Sequence, residues 1–151
     1  MIEIRLLGRN DRHVLERVAA DVFDYDIDPH SSTEFFEDPR HHIVVALDDG
    51  LVVGMVTSFH YVHPDKRPQM FINELGVASP YRRRGIGRSL MQAMLAHARG
   101  LGCTEAWVGT EDENVEARSL YESLSSPGEH FFLYTLPLPA DGEPLETVIP
   151  G

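Results

Sequence analysis

The sequence predicts an α/β protein in which a mixed β-sheet carries helices on both faces. Short apolar or alternating segments recur along the 151-residue chain and are typical of strands. Two of them flank the turn Asp48-Asp49-Gly50, which indicates an antiparallel hairpin. Further along, strands alternate with amphipathic helices, as in units that build the parallel part of a sheet.

Each predicted element has its own pattern. The strands are short and end at turn residues; they comprise residues 2–6, 43–47, 51–59, 70–77, 105–109 and 131–136. The helices have apolar residues at helical spacing; they comprise residues 14–23, a long helix from Ile86 to Gly100 or Gly102, and residues 114–124. Residues 24–42 are polar and predict a loop with a helical turn near 33–37. We expect one domain over residues 1–138 and an irregular tail over residues 139–151.

The charge balance narrows the choice of partner. A formal net charge of −11 argues against nucleic acid, whose phosphates need a basic surface. It suits a cationic small molecule, although acidity that serves only solubility explains the total equally well. No apolar run is long enough to span a bilayer, so we expect no membrane association and a cytoplasmic location. A single cysteine, Cys103, excludes an intrachain disulfide.

The segment from Arg82 to Arg88 combines clustered arginines with two glycines, directly before the long helix. Glycine lets backbone N–H groups approach a ligand, and a helix N-terminus directs unpaired N–H groups and a positive dipole at the same point. Such a place binds phosphate. A dinucleotide site is the competing interpretation, but its third glycine is replaced by Leu90. A turn without any ligand is the other alternative.

Two motifs on these elements resemble the GNAT superfamily of N-acetyltransferases. Arg82-x-x-Gly85-x-Gly87 is similar to its acyl-CoA pyrophosphate loop, and Asn114-x-x-Ala117-x-x-Leu120-Tyr121 is similar to its second signature. The order of elements matches that fold over nearly the whole chain. The resemblance implies a mixed, mostly antiparallel sheet and acetyl-CoA as the co-substrate, with no metal.

The resemblance also assigns the residues that would bind the co-substrate. Backbone N–H groups of the loop would surround the pyrophosphate, the opened edge of strand 70–77 would pair with the pantetheine amides, and the second motif would hold the pantetheine arm. These residues are Leu75, Gly76, Val77, Arg82, Arg83, Arg84, Gly85, Ile86, Gly87, Arg88, Asn114, Ala117 and Tyr121. A helix N-cap is the structural alternative for Asn114.

Two side chains are candidates for catalysis. Tyr121 holds the position of the superfamily's general acid, which protonates the departing thiolate; core packing is its structural alternative. Glu74 lies in an otherwise apolar strand, and an apolar setting makes a carboxylate a stronger base. An ion pair inside the sheet is the alternative for Glu74.

A narrower resemblance concerns the type I aminoglycoside 3-N-acetyltransferases. Four parts of the chain are similar to segments of that family: Tyr61-Val62-His63-Pro64, the strand that contains Glu74, Leu120-Tyr121, and His130-Phe131-Phe132. The family's Leu-Gly turn after Tyr121 is replaced by Leu124-Ser125-Ser126-Pro127-Gly128. The implied substrate is an aminoglycoside acetylated at its 3-amino group, with antibiotic resistance as the consequence.

Acidic loops would meet the ammonium groups of such a substrate, and a solvated acidic surface is the plainer interpretation of them. The candidate substrate-binding residues are Tyr25, Asp26, Asp28, Glu74, Glu111 and Asp112. Other acceptors stay open, namely a polyamine, an amino acid or a protein N-terminus, and so does a non-catalytic acyl-CoA sensor. Many members of the superfamily form dimers, so a homodimer is one expectation. The eight histidines show no metal spacing.

Overall fold

The fold is built on a five-stranded sheet in the order β1-β2-β3-β4-β5. A computed structural model describes residues 1–124 and 127–144 of the chain. Its strands and helices are β1 (Ile2–Leu6), α1 (Pro29–Glu37), β2 (His41–Asp48), β3 (Leu51–Tyr61), β4 (Gln69–Val77), α2 (Ile86–Gly100), β5 (Ala106–Trp107) and α3 (Val115–Leu124).

The sheet is mixed, as the sequence predicts. Strands β1 to β4 pair antiparallel with their neighbours, whereas β4 and β5 pair in parallel. The parallel pairing comprises only two residue pairs, Met70 with Ala106 and Phe71 with Trp107. Beyond them the two strands separate, which opens that edge of the sheet towards the carboxyl end of β4.

Both faces of the sheet are covered by apolar packing. Helix α2 buries Leu90 and Met94 against one face, where Val56 of β3 is also fully buried. On the opposite face, Ile43 and Met55 pack with Leu15 and with residues of α1. The alternation of side chains along a strand explains why Met55 and Val56, which are adjacent, belong to different faces.

A β-bulge in β4 changes this alternation. Thr57 pairs with Glu74 and Ser58 pairs with Ile72, so Asn73 has no residue opposite it on β3. Ser58 is buried on the α2 side, where its hydroxyl donates to the sulfur of Met94 over 3.2 Å. Thr57 therefore faces the other way, and the bulge places its partner Glu74 on the face opposite α2.

Three histidines form a hydrogen-bonded chain near the carboxyl end of α2. His42 Nε2 lies 2.7 Å from His60 Nδ1, and His97 Nε2 lies 2.9 Å from His42 Nδ1. His42 is 7% exposed. Its burial, with smaller contributions from His97 and His60, lowers the pKa of His42 to about 4. The central ring is therefore neutral at pH 7.

The predicted helix over residues 14–23 is wrong. Only a short 3-10 helix, Arg12–Glu16, forms there, and the chain then runs beside β3. The N–H of Val52 donates to the carbonyl oxygen of Arg17, and the N–H of Ala19 donates to the carbonyl oxygen of Val52, both over 2.9 Å. A helix would forgo these bonds. The helical turn predicted near 33–37 is instead the longer α1, which begins at a proline and is capped by Asp28.

The predicted strand over residues 131–136 is also wrong. The segment is irregular, and Phe132 and Leu133 are more than four-fifths exposed. A strand needs a neighbour to accept its backbone hydrogen bonds, and β5 offers a ladder of only two residues. Residues 125–126 of the segment that replaces the family's Leu-Gly turn lie outside the described residues, as do 145–151 of the tail. No helix in the described ranges is long and apolar enough to cross a membrane.

Candidate active site

A cleft of about 700 Å³ lies where β4 and β5 separate. Its walls are the carboxyl half of β4, the segment after β5, the amino end of α2, one side of α3 and the loop at residues 21–24. The structure brings most of the predicted site residues together in this cleft. Those that line it are Glu74, Leu75, Gly76, Val77, Arg82, Arg83, Gly85, Ile86, Gly87, Arg88, Asn114, Ala117 and Tyr121.

The amino end of α2 has the features of an anion cradle. Gly85 is its N-cap residue with φ of 78°, a left-handed conformation that favours glycine, and no side chain caps the helix. A Cβ atom at Gly87 would lie 3.4 Å from Leu120. The N–H groups of the first turn and the positive end of the helix dipole therefore face the cleft, and no glycine side chain separates them from a ligand. These features fit the diphosphate of an acyl-CoA.

The four arginines of the loop have different surroundings. Arg82 Nε donates to the carbonyl oxygen of Val77 over 2.9 Å, which ties the loop to the end of β4. The guanidinium of Arg84 lies 5.1 Å from the centre of the Tyr81 ring, outside the cleft lining. Arg88 Nη1 donates to Ser123 Oγ over 2.6 Å and so joins α2 to α3. Arg83 lines the cleft with φ of 61°, a strained conformation for a non-glycine residue.

Asn114 and Tyr121 lie on the α3 side of the cleft. The Asn114 Oδ1 atom accepts from the N–H of Ala117 over 3.1 Å, so the helix-cap alternative holds for its oxygen. The cap engages the Oδ1 atom of Asn114 and not its amide nitrogen. Burial raises the pKa of Tyr121 above its ordinary value of 10, so its hydroxyl keeps its proton at neutral pH. That protonated state is the one a general acid requires.

Glu74 lies at the rim of the cleft on the face opposite α2. Its side chain is exposed, so the apolar setting that the sequence predicts is not found. The bulge at Asn73 is the physical reason, because it places the carboxylate on the open face of β4 rather than within the packed core.

Sequence reasoning missed the loop that covers β4. Asp21 and Asp24 line the cleft beside Glu74, and Asp21 Oδ2 accepts from Ser79 Oγ over 2.9 Å. The carbonyl group of Val22 lies directly over Gly76. Asp24 belongs to an acidic run visible in the sequence, but the left-handed φ of 67° at Asp21, which turns this loop, has no sequence signal.

The remaining predicted substrate residues do not line the cleft that contains Glu74. Tyr25 and Asp26 line a second cleft of about 1030 Å³ between the 3-10 helix and α1. Asp28 Oδ2 accepts from the N–H of Ser31 over 2.7 Å and caps α1. Asp112 pairs with Arg118 over 3.1 Å, and Glu111 precedes it outside the first cleft. Among the described residues, no group of three or more His, Cys, Asp or Glu side chains is arranged to hold a metal ion.

A sheet that opens at one edge beside a glycine- and arginine-rich helix N-terminus offers backbone groups to an extended ligand and N–H groups to its phosphates. The model of the acetyltransferase (GNAT) family matches residues 12–125. The chain therefore belongs to that family.

Curated relatives are N-acetyltransferases of several kinds. N-acetyltransferase 8 of Homo sapiens is 36% identical over 93 residues, which are 58% of this chain and 40% of that protein. N-alpha-acetyltransferase 30 of Schizosaccharomyces pombe is 35% identical over 80 residues, which are 53% of each chain. The chain thus spans about half the length of these relatives or less.

Solved structures share the fold. An aminoglycoside acetyltransferase from an uncultured soil metagenomic sample superposes with a TM-score of 0.79 at 20% identity, over 92% of this chain and 99% of that one. A second such enzyme, in complex with sisomicin, gives 0.71 at 22% identity over 90% and 97%. At these identities the likeness concerns the fold alone.

Proposed function

We propose that the protein transfers the acetyl group of acetyl-CoA to an aminoglycoside, at its 3-amino group. One observation carries the proposal: Glu74, Tyr121 and the glycine-arginine loop line a single cleft at the opened sheet edge. A base, an acid and a diphosphate cradle are the groups that direct acyl transfer needs. Resistance to the antibiotic would follow from the loss of that ammonium charge.

The proposed chemistry takes place in one ternary complex. Glu74 accepts a proton from the substrate ammonium, directly or through one water molecule. The free amine then attacks the thioester carbonyl carbon, a C–N bond forms and the C–S bond breaks. Tyr121 donates its proton to the departing sulfur, and the nitrogen gives up its second proton to the resulting tyrosinate, so the products are the amide and the CoA thiol and Tyr121 is again protonated. Backbone N–H groups at the open edge of β4, around residues 75–77, would polarise the carbonyl oxygen.

The charge of the cleft and the superposed structures support an aminoglycoside as the acceptor. Asp21 and Asp24 add carboxylates to the rim that holds Glu74, and the whole chain carries a net charge of −11. A polycation would gain from each of these groups. Two of the superposed structures described above belong to aminoglycoside acetyltransferases.

A peptide N-terminus is the second candidate acceptor. The similarity to N-alpha-acetyltransferase 30, 35% over 80 residues, favours it, because that name denotes acetylation of an α-amino group. Both candidates share the same base, acid and donor, and they differ only in what fills the open face beside Glu74.

Release of CoA thiol from acetyl-CoA tests the proposal across gentamicin, sisomicin, kanamycin, spermidine and a generic peptide. Fast release with gentamicin and sisomicin, and an N-acetyl product at the 3-amino group by NMR, is expected. Release with the peptide alone would favour the second candidate. Acetyl-CoA binding without thiol release from any of these amines would contradict the proposal and favour a sensor.

A further inference from the structure

A row of aromatic rings crosses four strands on the face opposite α2. The residues occupy paired positions in the sheet: His41 is opposite Phe59, Phe59 opposite Phe71, and Phe71 beside Trp107. Successive ring centres lie 6.5, 5.4 and 4.6 Å apart. None of these rings lines the cleft described above, so the row is a separate feature of the same sheet.

The row lies on the same face of the sheet as the proposed catalytic base, Glu74. Phe71 pairs with Phe59, and Glu74 pairs with Thr57, two residues earlier on β3. Paired residues share a face and alternate residues share a face, so Phe71 and Glu74 lie on the same side of the sheet. At about 3.3 Å per residue, three residues of β4 separate them by about 10 Å. This is roughly the span of two fused or linked six-membered rings.

Trp107 is held in a defined orientation although it is exposed. Its Nε1–H donates to the Tyr61 hydroxyl over 2.7 Å, and its ring packs at 64° to the ring of Phe71. The side chain is nevertheless 47% exposed. Since its one polar atom has a partner, most of the exposed surface is carbon. A fixed, exposed indole is a surface suited to stacking.

We propose that Trp107 and Phe71 form a stacking subsite for an amino-sugar ring of the acceptor, the ring that does not react. The inference rests on the proposed function, since it places the reacting ammonium at Glu74 and the neighbouring ring on the indole. The C–H face of a sugar packs on an aromatic ring, and an ammonium group on that sugar is attracted to the π-face. The acidic rim and the continuity of the sheet face single out a cationic ring compound among ligands of this size.

Trp107 is the only tryptophan of the chain, so its fluorescence reports on this position directly. Emission is followed with CoA present while sisomicin or gentamicin is added, with ring-free spermidine as the comparison. We expect a saturable change with the ring compounds and none with spermidine. The variant Phe71→Leu keeps the fluorophore and should raise the apparent dissociation constant obtained from that change roughly tenfold.

Kinetics provide the second measurement. Trp107→Leu should raise KM for sisomicin roughly tenfold while kcat and the KM for acetyl-CoA change less than about twofold. Phe132→Leu is the matched control, since that ring is 86% exposed and lies outside the row. It should leave all three constants unchanged.

The outcomes separate this inference from the proposed function. Acetylation of sisomicin without any change in emission would overturn the stacking subsite and leave the function intact. A saturable change in emission without thiol release would support the stacking subsite and contradict the proposed function. Emission that is already blue-shifted and insensitive to every amine would mean that residues 131–138 or a second copy of the chain cover the indole, and would also overturn the subsite.

Discussion

The carbonyl oxygen of Val22 occupies the space that a Cβ atom would need at Gly76. Gly76 lies in β4 opposite Met55, and the loop that contains Val22, Asp21 and Asp24 is pressed onto the strand at this point. The contact fixes where the acidic rim lies relative to the open edge of β4.

Gly76→Ala should therefore destabilise the protein by roughly 2–3 kcal/mol, because backbone and not a flexible side chain must move. Thermal unfolding measures the change. Gly100→Ala is the control, since nothing lies within 4 Å of its added Cβ and it ends a helix. It should leave stability unchanged or raise it by about 0.5 kcal/mol. Equal midpoints for the two variants would contradict the close contact.

Tyr121→Phe should lower kcat about 100-fold and change the KM for acetyl-CoA little, because it removes the proton donor and keeps the ring. Burial raises the pKa of Tyr121, so the activity of the parent enzyme should fall only above about pH 10. Thiol release measured against pH tests both statements. Tyr134→Phe, an exposed tyrosine, serves as the control. Undiminished turnover in Tyr121→Phe would exclude the acid role.

Glu74→Gln should lower kcat about 100-fold at neutral pH, since an amide cannot accept the ammonium proton. The loss should diminish as pH rises, because more of the substrate amine is then already neutral. The rate of thiol release at several pH values tests this, with the exposed Glu129→Gln as control. A pH profile identical to that of the parent would show that another group is the base.

Arg83 combines backbone strain with a position in the cleft, and two substitutions separate these properties. Arg83→Gly should raise stability by about 1 kcal/mol, because glycine adopts a φ of 61° without strain, while acetyl-CoA binding weakens. Arg83→Ala should weaken binding similarly without the gain in stability. Urea unfolding and calorimetric titration measure the two effects. Unaltered acetyl-CoA affinity in both variants would exclude Arg83 from the diphosphate site.

The histidine chain should make stability depend on pH. Since the pKa of His42 is lowered to about 4 from 6.5, the unfolded chain binds its proton first as the solution is acidified. The contribution of neutral His42 is complete above pH 6.5 and is lost, by roughly 3 kcal/mol, as pH falls to 4. Burial also lowers the pKa of His97, and Asp38 opposes the effect at His42 weakly.

Urea unfolding at pH 7.5 and pH 4.5 tests this effect. His42→Gln should be less stable than the parent at pH 7.5, and the difference should shrink or reverse at pH 4.5. His13→Gln, which replaces an exposed histidine, should show the same small difference at both. A difference for His42→Gln that does not vary with pH would contradict the buried neutral ring.

Sequence patterns predicted the elements that local rules determine. The hairpin turn at Asp48-Asp49-Gly50 indicated where β2 and β3 meet, and the loop before α2 indicated where β4 ends. Helix α2 begins at Ile86, as expected. Tertiary contacts decided the rest. Val18 has helical spacing with its neighbours but pairs with Val52, and the bulge at Asn73 changes which face Glu74 occupies without any signature in the sequence.

In the candidate site, too, some residues could be placed from the sequence and others only from tertiary contacts. The motif residues on β4, α2 and α3 meet in one cleft, because each motif lies at a fixed position on its own strand or helix. The acidic residues of the loops could not be placed in that way. Asp28 is used as a helix cap and Asp112 as a partner of Arg118, whereas Asp21 enters the cleft through a left-handed turn.

The two-residue ladder between β4 and β5 has a consequence for how long the protein lasts in a cell. The proposed acetyl-CoA would complete a sheet whose last strand is attached at one end only, and it would bind the folded chain alone. At a concentration 100 times its dissociation constant, such a ligand adds about 2.7 kcal/mol to the free energy of unfolding. Resistance to proteolysis would therefore follow the supply of acetyl-CoA, and the turnover of the protein would reflect the metabolic state of its host.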